Sequence, residues 1–265
     1  MAFFCDLLIG AALSGGIALA AWRRGSLSST GVTAALFVGA AIYLGGGLAW
    51  YAALMAFFVT STLLGRLGAA HKERVRRHYE KGETRDGWQV LANGGIAAAC
   101  ALAQRLLPEV DLTAAFVGAL ATANGDTWAT ELGVLGNRPP LLVTTLRRVP
   151  AGTSGAISGF GVTATILGGA VIGAVIGLAG WRDLGAWLVV GGVSGCLGAL
   201  ADSVLGATVQ AGYRCLACDR ACEAPRHHCG RRARHVKGLR WCTNDVVNVL
   251  ATLVGAAIGL GLGSW

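Results

Sequence analysis

The chain has 265 residues, of which 54% are apolar and only 14% are charged, and it contains 41 glycines. A soluble domain carries about 25% charged residues, so this composition excludes an ordinary soluble enzyme and favours an integral membrane protein. The formal net charge is +8, but the basic residues are distributed as in a membrane topology, so no nucleic-acid partner is expected.

Apolar runs long enough to cross a bilayer as helices follow one another along the chain. We predict spans at residues 3–21, 31–47, 48–65, 89–107, 111–134, 156–180, 184–210 and 241–262. The predicted fold class is therefore an all-α polytopic transmembrane helical bundle of about eight spans, forming one domain over residues 1–265. Residues 1–6 lack a basic segment, so no cleavable signal peptide is expected and the first span is retained.

Twenty of the twenty-two Lys and Arg residues lie in the connections 22–30, 66–88, 135–155 and 211–240. With both termini outside, all four connections are on the inner side, as the positive-inside bias requires. The basic residues are thus expected to set the topology and to contact anionic membrane lipids. The connection 66–88 also contains His71 and His78 and is predicted to be an amphipathic segment at the inner surface.

Glycine patterns in two spans predict local packing. The second and third spans are separated only by Gly45, Gly46 and Gly47, which indicates either a tight hairpin or one long tilted helix. The sixth span has small residues four apart at Gly169, Gly173 and Gly177, a pattern typical of close helix–helix packing.

The fifth span carries polar residues inside an otherwise apolar segment. At 100° per residue, Asn124, Thr127 and Glu131 share one helical face, and Asp126 lies on the adjoining face. An ionised carboxylate at membrane depth costs about 2.5 kcal/mol or more. These groups therefore need partner groups, a bound cation or water, and we interpret this helix as one wall of an active site.

The directions of the spans bring other polar residues to the same inner depth. Spans four and eight begin there, and spans five and seven end there. The predicted catalytic residues and Mg²⁺ ligands are Asp126, Glu131, Asp202 and Asp245, and the predicted substrate-binding residues are Asn93, Asn124, Thr127, Asn244 and Asn248. Carboxylate and amide oxygens are the hard ligands that Mg²⁺ prefers, and this ion commonly bridges to phosphates.

Basic and glycine-rich residues in the inner connection 135–155 predict a phosphate site. Gly152, Thr153, Ser154 and Gly155 precede a predicted helix and offer backbone N–H groups near its positive end. Arg147 and Arg148 just upstream could pair with phosphate oxygens. All five histidines lie in the loops 66–88 and 211–240, which excludes a membrane-embedded Ser–His–Asp triad.

The connection 211–240 has the spacing of a small zinc-binding loop. Cys215 and Cys218 are followed by a His–Cys pair, His228 and Cys229, which together supply four soft ligands. Reduced thiols on a cytosolic face favour a metal over a disulfide. We predict structural Zn²⁺ here, and free or redox-active thiols are the alternative.

Five sequence blocks resemble one known family. They are Gln89–Gly95, Gly125–Gly133, Gly152–Gly155, Asp202–Thr208 and Asn244–Asn248, and they follow one another in order along nearly the whole chain. The chain resembles the polytopic membrane family that includes phytyl-phosphate kinase of tocopherol biosynthesis. The resemblance implies a kinase that converts an isoprenoid monophosphate into the diphosphate with a nucleoside triphosphate, and CTP is favoured by relation to polyprenol kinases.

Two alternatives remain open from the residues alone. Intramembrane carboxylates also suit a transporter or flippase that binds a cation or carries protons. A CTP-dependent prenol kinase or cytidylyltransferase would use a similar set of groups. We expect a prokaryotic inner-membrane location with the active site facing the cytosol, and a homo-oligomer is compatible with the sequence.

Overall fold

The computed structural model describes residues 2–67, 84–136, 138–180, 183–227 and 229–263. The helices are α1 (Ala2–Arg23), α2 (Ser29–Arg66), α3 (Gly87–Leu106), α4 (Thr113–Gly133), α5 (Gly159–Leu178), α6 (Leu184–Thr208) and α7 (Asn244–Gly263). The strands are β1 (Leu141–Leu142), β2 (Ala156–Ile157), β3 (Gly212–Cys215), β4 (Ala221–Cys222) and β5 (Ala233–Lys237).

The predicted helical membrane bundle is confirmed, but eight spans are not supported. Among the described residues, five helices are long and apolar enough to cross a membrane: α1, α2, α5, α6 and α7. Helices α3 and α4 are less apolar because α3 carries Gln, Asn and Arg side chains and α4 is rich in Ala, Gly and Thr. Their place in the bundle comes from packing against other helices rather than from hydropathy.

Helix α2 reverses direction at Gly47. This glycine has φ 62° and ψ −153°, which no helical residue adopts. A straight helix of 38 residues would be about 57 Å long, yet a Cβ built on Gly39 would lie 3.5 Å from the Tyr51 ring. The two halves of α2 therefore run antiparallel, so the hairpin interpretation is confirmed and the single tilted helix is wrong.

Helix α4 is the central element of the bundle. It contacts α2, α3, α5, α6 and α7, and these five helices also contact one another in the ring order α2, α3, α7, α6, α5. Thirteen consecutive residues of α4, Thr113–Gly125, are buried. A helix buried on every side has no polar face to present to solvent, which explains its lack of amphipathic periodicity. Helix α1 packs on the outside against α2.

Glycines allow the neighbouring helices to approach closely. The predicted packing face of α5 is confirmed, because Gly169 faces Gly191 and Gly195 on α6, and Gly173 faces the backbone of Trp187. In each pair the added Cβ of an alanine would overlap the backbone of the partner helix. Close backbone approach of this kind replaces the hydrophobic driving force that is absent between helices in lipid.

The connections contain small antiparallel sheets, which corrects the all-α prediction outside the helical bundle. Strands β1 and β2 form a two-stranded ladder, and β4, β3 and β5 form a three-stranded sheet in that order. Their short, non-periodic segments gave no strand signal in the sequence. The predicted amphipathic segment in 66–88, with His71 and His78, lies largely outside the described residues.

The packing around α4 can be tested with one glycine substitution and a matched control. We expect Gly118→Ala to destabilise the protein by about 1–3 kcal/mol, because the added Cβ would overlap the carbonyl of Gly255 on α7. Gly95→Ala on α3 adds the same methyl group where nothing lies within 4 Å and should leave stability unchanged or raise it slightly. Thermal unfolding in detergent measures both; equal melting temperatures would contradict the packing described here.

Candidate functional site at the basic end of the bundle

We use the term basic end for the end of the bundle formed by residues 24–28, 84–86, 134–136, 138–158, 209–227 and 229–243, which carry many of the Arg and Lys residues. Helices α3 and α7 begin at this end, and α4 and α6 finish there. The register supports these directions, because Gly118 on α4 meets Gly255 and Gly259 on the antiparallel α7. The predicted polar residues on these four helices thus belong to one end of the bundle.

Thr122 connects three helices just below the polar residues. Its hydroxyl donates to the carbonyl of Ser194 on α6 at 3.0 Å and to that of Gly118 at 2.9 Å. The same side chain contacts Gly198 on α6 and Gly255 on α7 at the positions where a Cβ would otherwise lie. This contact fixes the depth and the rotation of α4 relative to both neighbours.

Three predicted site residues lie on the helix faces that meet at Thr122. Asp126 follows Thr122 by four residues, Asp202 follows Gly198 by four, and Asn248 precedes Gly255 by seven. Residues at these spacings share one face of a helix. Asp126, Asp202 and Asn248 therefore lie one or two turns towards the basic end from a single three-helix contact, and one carboxylate oxygen of Asp202 is fully buried.

Asp245 and Asn244 form the first turn of α7. A carboxylate in this position is stabilised by the free N–H groups and the positive end of the helix. Both side chains are partly buried. Asn244 and Asp245 lie one turn before Asn248, so the polar face of α7 continues from Asn248 to the basic end.

Asn124 has a different environment, because it faces the opposite side of α4. It is fully buried; its Oδ1 accepts from Thr60 on α2 at 3.2 Å, and its Nδ2 donates to the carbonyl of Gly168 on α5 at 2.7 Å. The indole of Trp128 also donates to Thr60, at 3.2 Å. The sequence predicted that Asn124 and Thr127 bind substrate. In the structure Asn124 instead joins three helices, and the hydroxyl of Thr127 donates to the carbonyl of Ala123 in its own helix.

Glu131 lies on the same side of α4 as Asn124 and interacts with Arg85. Burial lowers the pKa of Arg85, and the negative charge of Glu131 acts in the opposite direction. The Arg85 guanidinium also lies 5.6 Å from the centre of the Phe57 ring, within range of a cation–π contact. Arg85 thus brings a positive charge to this side of the helix.

Helix α4 separates the predicted acidic cluster into two groups. Asp126 faces the junction with α6 and α7. Glu131 is nine residues after Thr122 and is therefore turned by about 180° from it. Among the described residues, the four predicted Mg²⁺ ligands do not bring three donor atoms within 4.8 Å of one another. Any Mg²⁺ held here would take one or two carboxylates and complete its shell with water or phosphate oxygens, as this ion commonly does.

The turn Gly152–Gly155 does not immediately precede a helix, which corrects one premise of the predicted phosphate cradle. Strand β2 intervenes, α5 begins at Gly159, and Ser158 is its N-cap, accepting from the Gly161 amide at 3.0 Å. The hydroxyl of Thr153 donates to the carbonyl of Pro150 at 2.7 Å. The positive end of α5 is therefore three residues away from the predicted site.

The same turn docks against the end of α6. Gly155 has φ 82°, and a Cβ at this position would overlap Ser203 and Ala207. Ser154 donates to Gln210 Oε1 at 2.9 Å and to the carbonyl of Gly206 at 3.2 Å. These contacts hold the turn within a few residues of Asp202.

Arg147 and Arg148 lie beside this turn. Both are exposed in the segment that joins β1 to β2, and the carbonyl of Arg147 accepts from Leu142. The exposed side chains therefore add two positive charges to the basic end of the bundle.

Gln210 links the end of α6 to the cysteine-containing sheet. The side chain is 2% exposed, and its Nε2 donates to Glu223 Oε1 at 3.1 Å. Lys237 on β5 donates to the carbonyl of Gly206 at 2.9 Å, a favourable position for a cation at a helix C-terminus. Burial lowers the pKa of Lys237 and nearby Glu223 raises it. The sheet is thereby attached next to Asp202.

One cysteine–histidine cluster has the geometry of a metal site. The donor atoms of Cys215, Cys218, His227 and Cys229 all lie within 4.8 Å of one another. The sulfur atoms of Cys215 and Cys229 are 3.6 Å apart, and His227 Nδ1 is 3.1 Å from Cys229 and 3.5 Å from Cys218. With Zn–S of about 2.3 Å and Zn–N of about 2.0–2.1 Å, tetrahedral coordination requires donor separations similar to these.

The histidine in this cluster is His227, which is buried, whereas the sequence analysis assigned the role to His228. His228 lies outside the described residues. Hydrogen bonds from the backbone amides of Cys218 and Ala217 lower the pKa of the Cys215 thiol to about 7. A thiol with such a pKa is readily available as the thiolate that a metal requires.

Sequence reasoning missed three contributors to this end of the bundle: Arg85, Gln210 and His227. Arg85 was counted only as a topological charge, although the Asp86 that follows it is a recognisable N-cap for α3. The spacing C-x₂-C followed by two adjacent histidines does not by itself distinguish His227 from His228. Gln210 had no signal apart from being a polar residue at the end of a span.

Zinc content provides the test of the cluster. We expect the purified wild-type protein to contain about one Zn²⁺ per chain and Cys215→Ser and His227→Ala to lose most of it. Cys196→Ser removes a thiol within α6, outside the cluster, and His228→Ala removes the neighbouring imidazole. These two controls should retain the metal in elemental analysis, and loss of zinc in His228→Ala but not in His227→Ala would reverse the ligand assignment.

Comparisons with known proteins give the family. Residues 12–256 match the family described as Integral membrane protein DUF92. Protein PGR of Arabidopsis thaliana is 31% identical in an alignment of 272 positions. The alignment covers 94% of this chain and 93% of that protein. An uncharacterized membrane protein of Methanocaldococcus jannaschii is 30% identical, covering 92% of this chain and 89% of its own length.

A second protein of Arabidopsis thaliana, Protein VTE6, chloroplastic, is 26% identical over 88% of this chain and 64% of its own length. No solved structure matches the chain. The match to the family covers most of the helical bundle, so the polytopic membrane family expected from the sequence is confirmed. The chain therefore belongs to the integral membrane protein DUF92 family.

Proposed function

We propose that this protein is an integral-membrane isoprenoid-phosphate kinase. It would transfer the terminal phosphoryl group of a nucleoside triphosphate, with CTP favoured, to the monophosphate of a prenyl lipid, giving the diphosphate. One observation carries the proposal: the contact of Thr122 with Gly198 and Gly255 aligns the faces of α4, α6 and α7 that bear Asp126, Asp202 and Asn248. Membership of the family that includes phytyl-phosphate kinase supports the choice of substrate class.

The reaction requires few special groups from the protein. The attacking atom is an oxygen of the lipid monophosphate, which already carries negative charge, so no strong general base is needed. Phosphoryl transfer depends mainly on positioning the reactants and neutralising their charge. Exposed Arg147 and Arg148 and partly buried Arg85 provide positive charge around the basic end, where two anionic substrates would otherwise repel each other.

The residues also fit a magnesium ion. Asp126, Asp202 and Asp245 offer hard carboxylate oxygens, and one oxygen of Asp202 is withdrawn from solvent, where a charge needs compensation. Bound Mg²⁺ would neutralise the charge of the triphosphate oxygens. Asp126 and Asp202 are assigned to hold it, while Asn244 and Asn248 donate to phosphate oxygens from the start of α7.

The packing around Thr122 weighs against a carrier. A carrier must expose its site alternately to both sides of the membrane. Next to the polar residues, however, Gly118 on α4 is in backbone contact with Gly255 on α7, and the Thr122 side chain packs on Gly198 of α6. The thirteen residues of α4 that precede Asp126, Thr113–Gly125, are all buried. Opening a path there would separate these close helix contacts.

The proposed topology follows from the positive-inside bias. The basic end would face the cytosol, both termini would lie outside, and nucleotide would enter from the cytosolic side. A prokaryotic inner membrane suits this arrangement. The protein would obtain its lipid substrate from the surrounding bilayer.

Asp126→Asn tests the assigned role of α4. We expect the substitution to lower phosphoryl transfer by at least about 100-fold, the loss typical when a charge-stabilising group is removed. Asp111→Asn is the matched control, since it makes the same change at the opposite end of α4, and its activity should be unchanged. The assay uses protein in liposomes, geranylgeranyl phosphate, Mg²⁺ and each nucleotide labelled at the α or γ phosphate.

The label in the product distinguishes the reactions. Transfer of the γ label to the monophosphate supports the kinase, and transfer of the α label indicates a cytidylyltransferase. In a parallel assay with geranylgeraniol, labelling of the alcohol but not of the monophosphate indicates a prenol kinase. Full activity of Asp126→Asn in well-folded protein would overturn the assignment of that residue. Absence of transfer from every nucleotide to every prenyl monophosphate would overturn the proposed function.

A further inference from the structure

A small apolar cavity lies between α1, α2 and α3, away from the aligned faces of α4, α6 and α7. Its walls are mainly aliphatic and aromatic side chains, such as Ala18, Leu54, Phe58 and Val90. The cavity volume is about 70 Å³, several times the space that one water-sized group needs. An apolar cavity of this size does not hold water well and instead suits part of a hydrocarbon chain.

The two ends of the cavity differ in polarity. The end farther from the basic end of the bundle contains the hydrogen-bonded pair Ser14 and Tyr51, with 3.4 Å between the two oxygen atoms. The end nearest the basic end of the bundle contains Arg85, Gln89 and Asn93. A molecule with an apolar body and an anionic head would therefore fit in one orientation only.

Arg85 is held in position at this polar end. Its amide donates to the carbonyl of Ser26 and its carbonyl accepts from the amide of Ser28, both at 3.0 Å. The guanidinium rests over the Phe57 ring, which also lines the cavity. A cation fixed by backbone hydrogen bonds binds an anion without a large loss of conformational freedom.

We propose that this cavity binds the proximal hydrocarbon chain of a single-chain lipid phosphate and that Arg85 pairs with the phosphate. A volume of about 70 Å³ has room for part of one hydrocarbon chain, so we expect a single-chain lipid rather than a two-chain phospholipid. The phosphate would lie beside Asn93 and close to Glu131, whose charge acts on Arg85. This inference rests on the proposed function for the identity of the lipid, because it names where the substrate of that reaction binds.

Photolabelling tests the location directly and needs no nucleotide. A geranylgeranyl phosphate analogue with a diazirine near its phosphate is irradiated with the full-length protein in nanodiscs, and the labelled peptides are mapped. We expect labelling on α1, the start of α3 and both halves of α2. Labelling confined to α5 and α6 would overturn the proposal.

Competition identifies the class of ligand. Geranylgeranyl phosphate should displace the analogue efficiently, and geranylgeraniol should do so at least about tenfold less well, since it lacks the charge that pairs with Arg85. Inorganic phosphate alone should not compete. If phosphatidic acid competes as well as the single-chain phosphate, the site is a general bilayer-lipid site and the proposal fails.

Two matched variants of α1 test the chain-binding part. Ala18 is 2% exposed and lines the cavity, whereas Ala20, two residues on, faces outward. Ala18→Leu adds three carbon atoms to the cavity and should weaken geranylgeranyl phosphate binding at least about tenfold, while Ala20→Leu should not. Both variants should have the melting temperature of the wild type. Unchanged affinity of folded Ala18→Leu for geranylgeranyl phosphate would contradict the proposal. If Ala18→Leu does not fold, the photolabelling map decides.

Substitution of Arg85 tests the recognition of the phosphate. Arg85→Gln should reduce affinity for the phosphate but leave affinity for the alcohol unchanged, so that the preference between them is lost, and Arg85→Lys should restore part of it. Equal loss for both ligands would overturn the role of Arg85. If the lipid phosphate binds as expected but no phosphoryl transfer occurs, the binding site proposed here stands and the kinase function is wrong. If transfer occurs but the photolabel maps elsewhere, the kinase function stands and the proposed binding site is wrong.

Discussion

The burial of α4 on every side is the constraint on which the rest of the structure depends. A helix surrounded by five others can be enclosed only if several neighbours approach its backbone closely, and such an approach requires small residues at the contacts. Gly118, Thr122 and Gly125 on α4 meet glycines of α6 and α7 and the backbone of α5. Once these contacts form, neither the depth nor the rotation of α4 can vary, because a one-residue slip would move a side chain into a partner backbone.

This rotation decides how the polar residues are used. Polar groups on a surface helix could share a single face, but those of α4 point in two directions. Thr122 and Asp126 face α6 and α7, while Asn124 and Trp128 reach α2 and α5 through Thr60 and Gly168. A fully buried asparagine with both ends of its amide bonded stabilises the bundle and leaves little capacity for a ligand. The carboxylates near the end of the helix are the groups that remain exposed to a substrate.

The sequence predicted what depends on local pattern. Helix positions followed from apolar runs, the close packing of α5 followed from Gly169 and Gly173, and the shared depth of Asp126 and Asp202 followed from helix direction. Contacts between distant loops could not be predicted in this way. Ser154 bonds to Gln210 and Gly206, over fifty residues away, and no helical or strand period encodes such a pairing. The strand β2 that separates Gly155 from α5 was likewise hidden, since two residues are too few to show a period.

The two sides of α4 also explain how a membrane enzyme could bring together a lipid and a nucleotide of the same charge sign. The apolar cavity opens beside Arg85 on the α2 and α3 side, and the aligned acidic residues lie on the α6 and α7 side. The Cys and His sheet is attached on the second side, through Gln210 after α6 and through Lys237, which donates to Gly206 in α6. Each reactant would then approach from its own phase, the lipid laterally and the nucleotide from water, and their phosphates would meet only above the last turn of α4. A helix with its side chains is about 10–12 Å across, so the two sites are separated by about the width of α4. The triphosphate would have to extend over the end of this helix for its terminal phosphate to reach the lipid phosphate.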